Sequence, residues 1–84
     1  MTQTVTIPKD LEEVLSIDPE VVHGKLCFKG TRVPLVVLLD NLEEGMGLNE
    51  FVEEYPSVTR QQASAIIAWE QRQIRRATGL EMLP

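Results

Sequence analysis

The sequence predicts a mainly α domain: a three-helix core with a helix-turn-helix, preceded by a short N-terminal β-hairpin or strand. Three observations carry that expectation. Two segments, from Leu35 and from Leu48, repeat apolar residues at i, i+3, i+4 and i+7, the spacing that gathers them on one side of a helix. Pro34, Gly45, Gly47, Pro56 and Gly79 stand where those helices should start or stop. Thr59-Arg60-Gln61-Gln62 has the form of a capping box, which opens a third helix.

In chain order, Thr4-Val5-Thr6-Ile7 alternates polar and β-branched apolar residues and reads as a short strand, an edge able to pair across a dimer. Residues 8–15 form one helical turn or two, with Leu11, Val14 and Leu15 on one side. Asp18-Pro19 breaks that segment, because a proline ring pushes the residue before it out of the helical region. Val21-Val22 and Leu26-Cys27-Phe28 read as two very short strands around a His23-Gly24-Lys25 turn. Gly30 closes this unit in a backbone conformation costly for other residues. Arg32 is expected to bridge the hairpin to a helix or an acid, and Arg32-Val33 runs extended into Pro34.

Pro34 fits the first position of the first helix, where a missing N–H is no loss. Leu35, Leu38, Leu39 and Leu42 form its inward stripe, and Gly45 ends it. The second helix starts after Gly47, turns Leu48, Phe51, Val52 and Tyr55 inward, leaves Asn49, Glu50, Glu53 and Glu54 in water, and stops at Pro56. In the third, the Thr59 hydroxyl accepts from the Gln62 N–H while the Gln62 side chain reaches back, and Val58 packs against Ala63 as an apolar staple. That helix runs to about Thr78, before Gly79, with Ala63, Ile66, Ile67, Trp69 or Glu70, and Ile74 facing inward.

Eighty-four residues, 43% of them apolar and 25% charged, suit one domain with one core. A chain of this size buries only about 60% of its unfolded surface, so its stability is modest and a partner often contributes. The edge strand and an apolar tail at Leu80, Met82 and Leu83 make a homodimer the expected state. No apolar run approaches the roughly 18 residues of a spanning helix, and Met1-Thr2-Gln3-Thr4 lacks the features of a signal peptide, so the expected location is the cytoplasm. Cys27 is the only cysteine, which excludes an internal disulfide and a thiolate zinc cage; no cofactor and no metal are expected.

Thirteen acids against eight bases give a net charge of −5, which opposes a free-standing nucleic-acid binder, since phosphate neutralisation dominates such affinity. The charges are segregated, however. Residues 23–32 hold Lys25, Lys29 and Arg32 with no acid, and residues 59–77 hold Arg60, Arg72, Arg75 and Arg76 against Glu70 alone. Either the two basic segments meet as one positive face, or both are solvated surface. At the start of the third helix Arg60, Gln61, Ser64 and Ala68 point outward. Arg and Gln can bond base edges in pairs, and small residues let a helix sink into the major groove. An ordinary three-helix bundle has the same elements.

Catalytic constellations are poor. His23 and Cys27 lie four residues apart, but no third orienting residue, oxyanion loop, phosphate-binding glycine motif or metal quartet accompanies them. Glu12-Glu13, Glu43-Glu44 and Glu53-Glu54 are adjacent pairs, which cannot share one helix face as a dyad would. No enzyme is expected.

Ser16-Ile17-Asp18-Pro19-Glu20-Val21, Gly24-Lys25, Lys29-Gly30-Thr31-Arg32-Val33-Pro34, Gly45-Met46-Gly47-Leu48-Asn49-Glu50 and Tyr55-Pro56-Ser57-Val58-Thr59 follow one another in unbroken order across residues 15–69. In this the single domain of residues 1–84 resembles the domain-of-unknown-function 433 family. Leu26 departs from the family's usual Pro after Gly-Lys, and Gly47 stands where Ser or Thr commonly caps the second helix, a loss of a few tenths of a kcal/mol. The resemblance implies a homeodomain-like or winged-helix-like helix-turn-helix, with Gly24, Gly30, Thr31, Arg32, Pro34, Pro56 and Thr59 as its structural motif. It also implies a VapB-type antitoxin that binds a PIN-like ribonuclease toxin and, with it, operator DNA. The DNA-facing set would be Lys25, Lys29, Arg32, Arg60, Gln61, Ser64, Arg72 and Arg75. The alternative is an interaction or dimerisation module without DNA binding.

Overall fold

The computed structural model of the chain describes residues 5–80. A 3₁₀ turn at Lys9–Leu11 leads into strand β1 (Leu15–Ile17), a second 3₁₀ turn (Val22–Gly24) and strand β2 (Leu26–Phe28); helices α1 (Leu35–Glu43), α2 (Leu48–Glu54) and α3 (Arg60–Thr78) follow. The fold is mostly helical, with a two-stranded antiparallel sheet at its N-terminal side. Leu11, Leu15, Phe28, Leu38, Phe51, Val58, Ala63 and Ile66 form the buried core. The Phe28 and Phe51 rings sit 6.1 Å apart, and Tyr55 continues the aromatic row 4.9 Å from Phe51. Sheet and helices therefore share one interior.

The strand pairing differs from the expected hairpin. β2 pairs with β1, in the register Leu15↔Phe28, Ser16↔Cys27 and Ile17↔Leu26, and Val21-Val22 is not a strand. Two successive turns occupy that stretch instead. Val21 N–H donates to the Asp18 carbonyl, and Gly24 N–H to the Val21 carbonyl, while Val22 and His23 take positive φ values of 47° and 55°. A β-branched residue in that region is a backbone outlier. Burial explains the preference for residues 15–17: Leu15 is 2% exposed, whereas Val21 and Val22 are only half-buried.

Residues 5–7 are likewise not a strand, and Thr4 lies outside the described residues. The sheet has no vacancy for them on β2. One edge of β2 holds β1, and the other holds the following loop, through Phe28 N–H to the Val33 carbonyl and a bridge between Cys27 and Pro34. The same bridge moves Pro34 one position back from its expected place. It is the residue before α1, with ψ at 144°, and its carbonyl accepts the first bond of the helix from Val37 N–H.

The helices follow the sequence spacing with two exceptions. Leu38 is buried in α1, but Leu39 remains 38% exposed; in α3, Ala63 and Ile66 are buried while Ile74 is 59% exposed. From Ile74 to Leu80 every residue is exposed, so the apolar stripe of α3 outruns the core that would cover it. Among the described residues, no helix is long and apolar enough to cross a membrane.

Candidate nucleic-acid interface

α2 ends before Pro56, residues 55–59 turn, and α3 begins at a complete capping box. The Thr59 hydroxyl accepts from Gln62 N–H at 3.0 Å, and Gln62 Oε1 accepts from Thr59 N–H at 2.9 Å. Val58 and Ala63 are both buried in the core, as the staple requires. These fixtures set the angle between α2 and α3 and leave the opposite side of α3 in water.

Gln62 does more than cap. Its Nε2 donates to the Lys29 carbonyl at 2.9 Å, which ties the basic loop after β2 to the first turn of α3. Lys29, Arg60 and Gln61 are thereby held in one neighbourhood, all three exposed. Arg60 is engaged by α2: its Nη2 donates to Asn49 Oδ1. That contact steadies the guanidinium beside the helix start and turns it toward α2.

Successive residues of a helix advance by about 100°. On α3 this places Gln61, Ser64, Ala68, Gln71, Arg72 and Arg75 along one side, opposite buried Ala63 and Ile66. Gln61, Gln71, Arg72 and Arg75 are exposed, and Ser64 and Ala68 are half-buried. No acid stands on that side; Glu70 lies toward the core stripe. Gln71 belongs to this set although it was not among the residues expected to face DNA. Its position, seven residues after Ser64, is a signal that periodicity carries.

The remaining predicted cations sit elsewhere. Lys25 and Arg32 line a cleft of about 540 Å³ together with Ile17, Asp18, Cys27 and Thr31, and that cleft takes no residue from α3. Asp18 Oδ1 there accepts from Glu20 N–H at 2.9 Å. Arg32 is exposed, and among the described residues no ion pair or hydrogen bond reaches it, so the expected bridge from Arg32 to a helix or acid is not formed. Thr31 does the bridging instead. Its hydroxyl donates to the Phe28 carbonyl at 2.8 Å and accepts from Val33 N–H at 3.1 Å, closing the loop on itself. Gly30 lies at φ 78° with open space around its Cα, so the constraint at this position is the backbone alone.

His23 and Cys27 do not form a pair. Cys27 is 2% exposed inside β2 and lines the Lys25–Arg32 cleft, whereas His23 is exposed and lines a groove along α1. Among the described residues, no group of three or more His, Cys, Asp or Glu is arranged to hold a metal ion.

Comparison with known proteins bears on the fold. The model of a family described as a protein of unknown function, DUF433, matches residues 15–69. The structure is similar to the crystal structure, at 2.00 Å resolution, of a DUF433 member protein from Anabaena variabilis ATCC 29413, with a TM-score of 0.59 and 24% identity. That likeness covers 79% of this chain but 65% of the other, so this chain spans about two thirds of its relative's length. No curated protein matches.

Proposed function

We propose that this chain, which belongs to the DUF433 family, is a non-enzymatic helix-turn-helix module that reads DNA with α3. We further propose that it acts as the antitoxin-like partner of a PIN-like ribonuclease. The observation that supports this reading is the acid-free outer side of α3. Gln61 and Ser64 lie near its start for base edges, and Arg72 and Arg75 lie further along for phosphates. Lys29, fixed by Gln62, adds a phosphate contact beside the helix start.

The charge balance sets the strength of binding. Even with Lys25, Lys29, Arg32, Arg60, Arg72 and Arg75 all engaged, one chain neutralises about six phosphates at most, while thirteen acids repel the same polyanion. The isolated protein is expected to bind in the non-specific range, about 10⁻⁴–10⁻⁶ M, and a complex that doubles the contacts to bind far more tightly. The acidic stretch of residues 10–20 is the surface offered to a ribonuclease partner, together with Leu80. Met82 and Leu83, the rest of that apolar tail, lie outside the described residues.

A second reading, an interaction module without DNA, draws on the net charge of −5 and on the half-exposed apolar side of α1. Fluorescence anisotropy on the DNA upstream of the protein's own reading frame, with and without the product of the neighbouring frame, separates the two. The DNA reading expects Gln61→Ala to flatten sequence preference, and Arg75→Ala to weaken all sequences alike and lower the salt slope by about one. Absence of any salt-dependent binding in both arms gives the lead to the interaction module.

A further inference from the structure

α1 is apolar around most of its circumference, a composition that belongs to a covered helix: six of its nine residues are Leu or Val. Yet Leu38 is its only fully buried side chain, and Val36 and Leu39 stand 50% and 38% exposed. These two residues sit between two grooves. The first, of about 440 Å³, runs toward the start of α1 and carries His23 and Lys25 at its rim, with Val5 exposed beside it. The second, of about 480 Å³, runs toward the end of α1 and is rimmed by Asp40, Glu43 and Glu70. Val36 and Leu39 line both.

The patch is thus an apolar centre with a cation at one end and carboxylates at the other. We propose that it is the twofold interface through which two copies of this chain associate, α1 packed antiparallel on α1. A twofold axis through Val36 and Leu39 is the arrangement that satisfies both halves of this pattern at once. It buries the apolar centre against itself, and it sets Lys25 of each copy against Asp40 and Glu43 of the other. It also opposes the negative end of each helix dipole to the positive end of its mate. A surface whose two ends carry opposite charge matches its own inverted copy. A partner of uniform sign would meet repulsion at one end. Lys25 is the one residue this inference shares with the DNA reading; α3's outer side takes no part in it.

Sedimentation equilibrium of the full chain, from about 1 to 200 μM, is expected to show a mass twice the 9.5 kDa of one chain at the upper end. Leu39→Glu is expected to weaken association at least about a hundredfold while leaving the far-ultraviolet circular dichroism unchanged, because the side chain is half in water within one chain. Lys25→Glu is expected to weaken it about threefold to tenfold, with the salt dependence reversed because like charges then face each other. Adding Asp40→Lys and Glu43→Lys to Lys25→Glu is expected to restore the original constant. If Leu39→Glu does not fold, the charge reversal and its restoration decide. A wild-type chain that stays at 9.5 kDa throughout overturns the proposal, as does a dimer that a folded Leu39→Glu leaves intact or a charge reversal that its counterpart does not restore.

Discussion

Residues 14–34 and residues 47–79 each supply a phenylalanine to the same core, but they hold their shape by different means. In the first region the regular structure is two strands of three residues, and the chain is fixed by local devices. Thr31 clamps the loop with two side-chain bonds, Gly30 supplies a left-handed residue, and Val22 and His23 are held in the same uncommon conformation. In the second, two helices satisfy most backbone groups internally, and side chains are needed chiefly at the ends, where Thr59 and Gln62 cap α3. The difference explains why one region carries so many motif residues. A loop without repeating backbone bonds depends on particular residues at particular places. A helix tolerates change on its wet side, which leaves Gln61, Ser64, Arg72 and Arg75 available for a partner.

The core is where both regions should fail together. Phe51→Ala is expected to cost about 3–5 kcal/mol, because it removes a fully buried ring and its contacts with Phe28 and Tyr55. Against a total stability of about 5–15 kcal/mol for a domain, that brings the whole chain close to unfolding in a single urea transition. Separate transitions for sheet and helices would show that the two regions do not share one interior.

Backbone strain should single out the loop. Gly30→Val is expected to lose about 1–3 kcal/mol, and Gly30→Asn less, since a Cβ there meets nothing within 4 Å and only the φ of 78° is at stake. Thermal melts of the two variants compare them directly. Equal losses would mean that space rather than φ governs the position.

The smallest effects separate two neighbouring glutamines on α3. Gln62→Ala removes the bonds to Thr59 N–H and to the Lys29 carbonyl and is expected to cost about 1 kcal/mol. Gln61→Ala touches neither and is expected to stay within about 0.5 kcal/mol by urea titration. Equal costs would show that the tie between loop and helix contributes nothing.

Much of the helical region was legible in the sequence, because a helix is built from near neighbours. Gly47 before α2, Pro56 after it, the capping box at Thr59 and the end at Gly79 all depend on residues within a turn of one another. The left-handed Gly30 was legible for the same reason. What failed in the sequence reading was the choice among remote partners. Val21-Val22 was expected to pair with β2, and local alternation does not reveal which segment buries more surface there. Leu15–Ile17 took one edge and Val33-Pro34 the other. That outcome left residues 5–7 outside the sheet and shifted Pro34 to the position before α1.

Of the interface, the sequence by itself determined which residues share the outer side of α3, since a fixed advance per residue places Gln61, Ser64, Arg72 and Arg75 in line. Tertiary structure alone decided the rest. It turned Arg60 to Asn49, carried Lys25 and Arg32 away to a separate cleft, and brought Lys29 to α3 through Gln62, a bond spanning 33 positions of the chain. It also left Val36 and Leu39 uncovered on a helix whose spacing marked Leu39 for the core. The physical reason is common to all of these. Periodicity fixes the direction of a side chain relative to its own helix axis, whereas burial and partnership depend on what the rest of the chain packs against that direction.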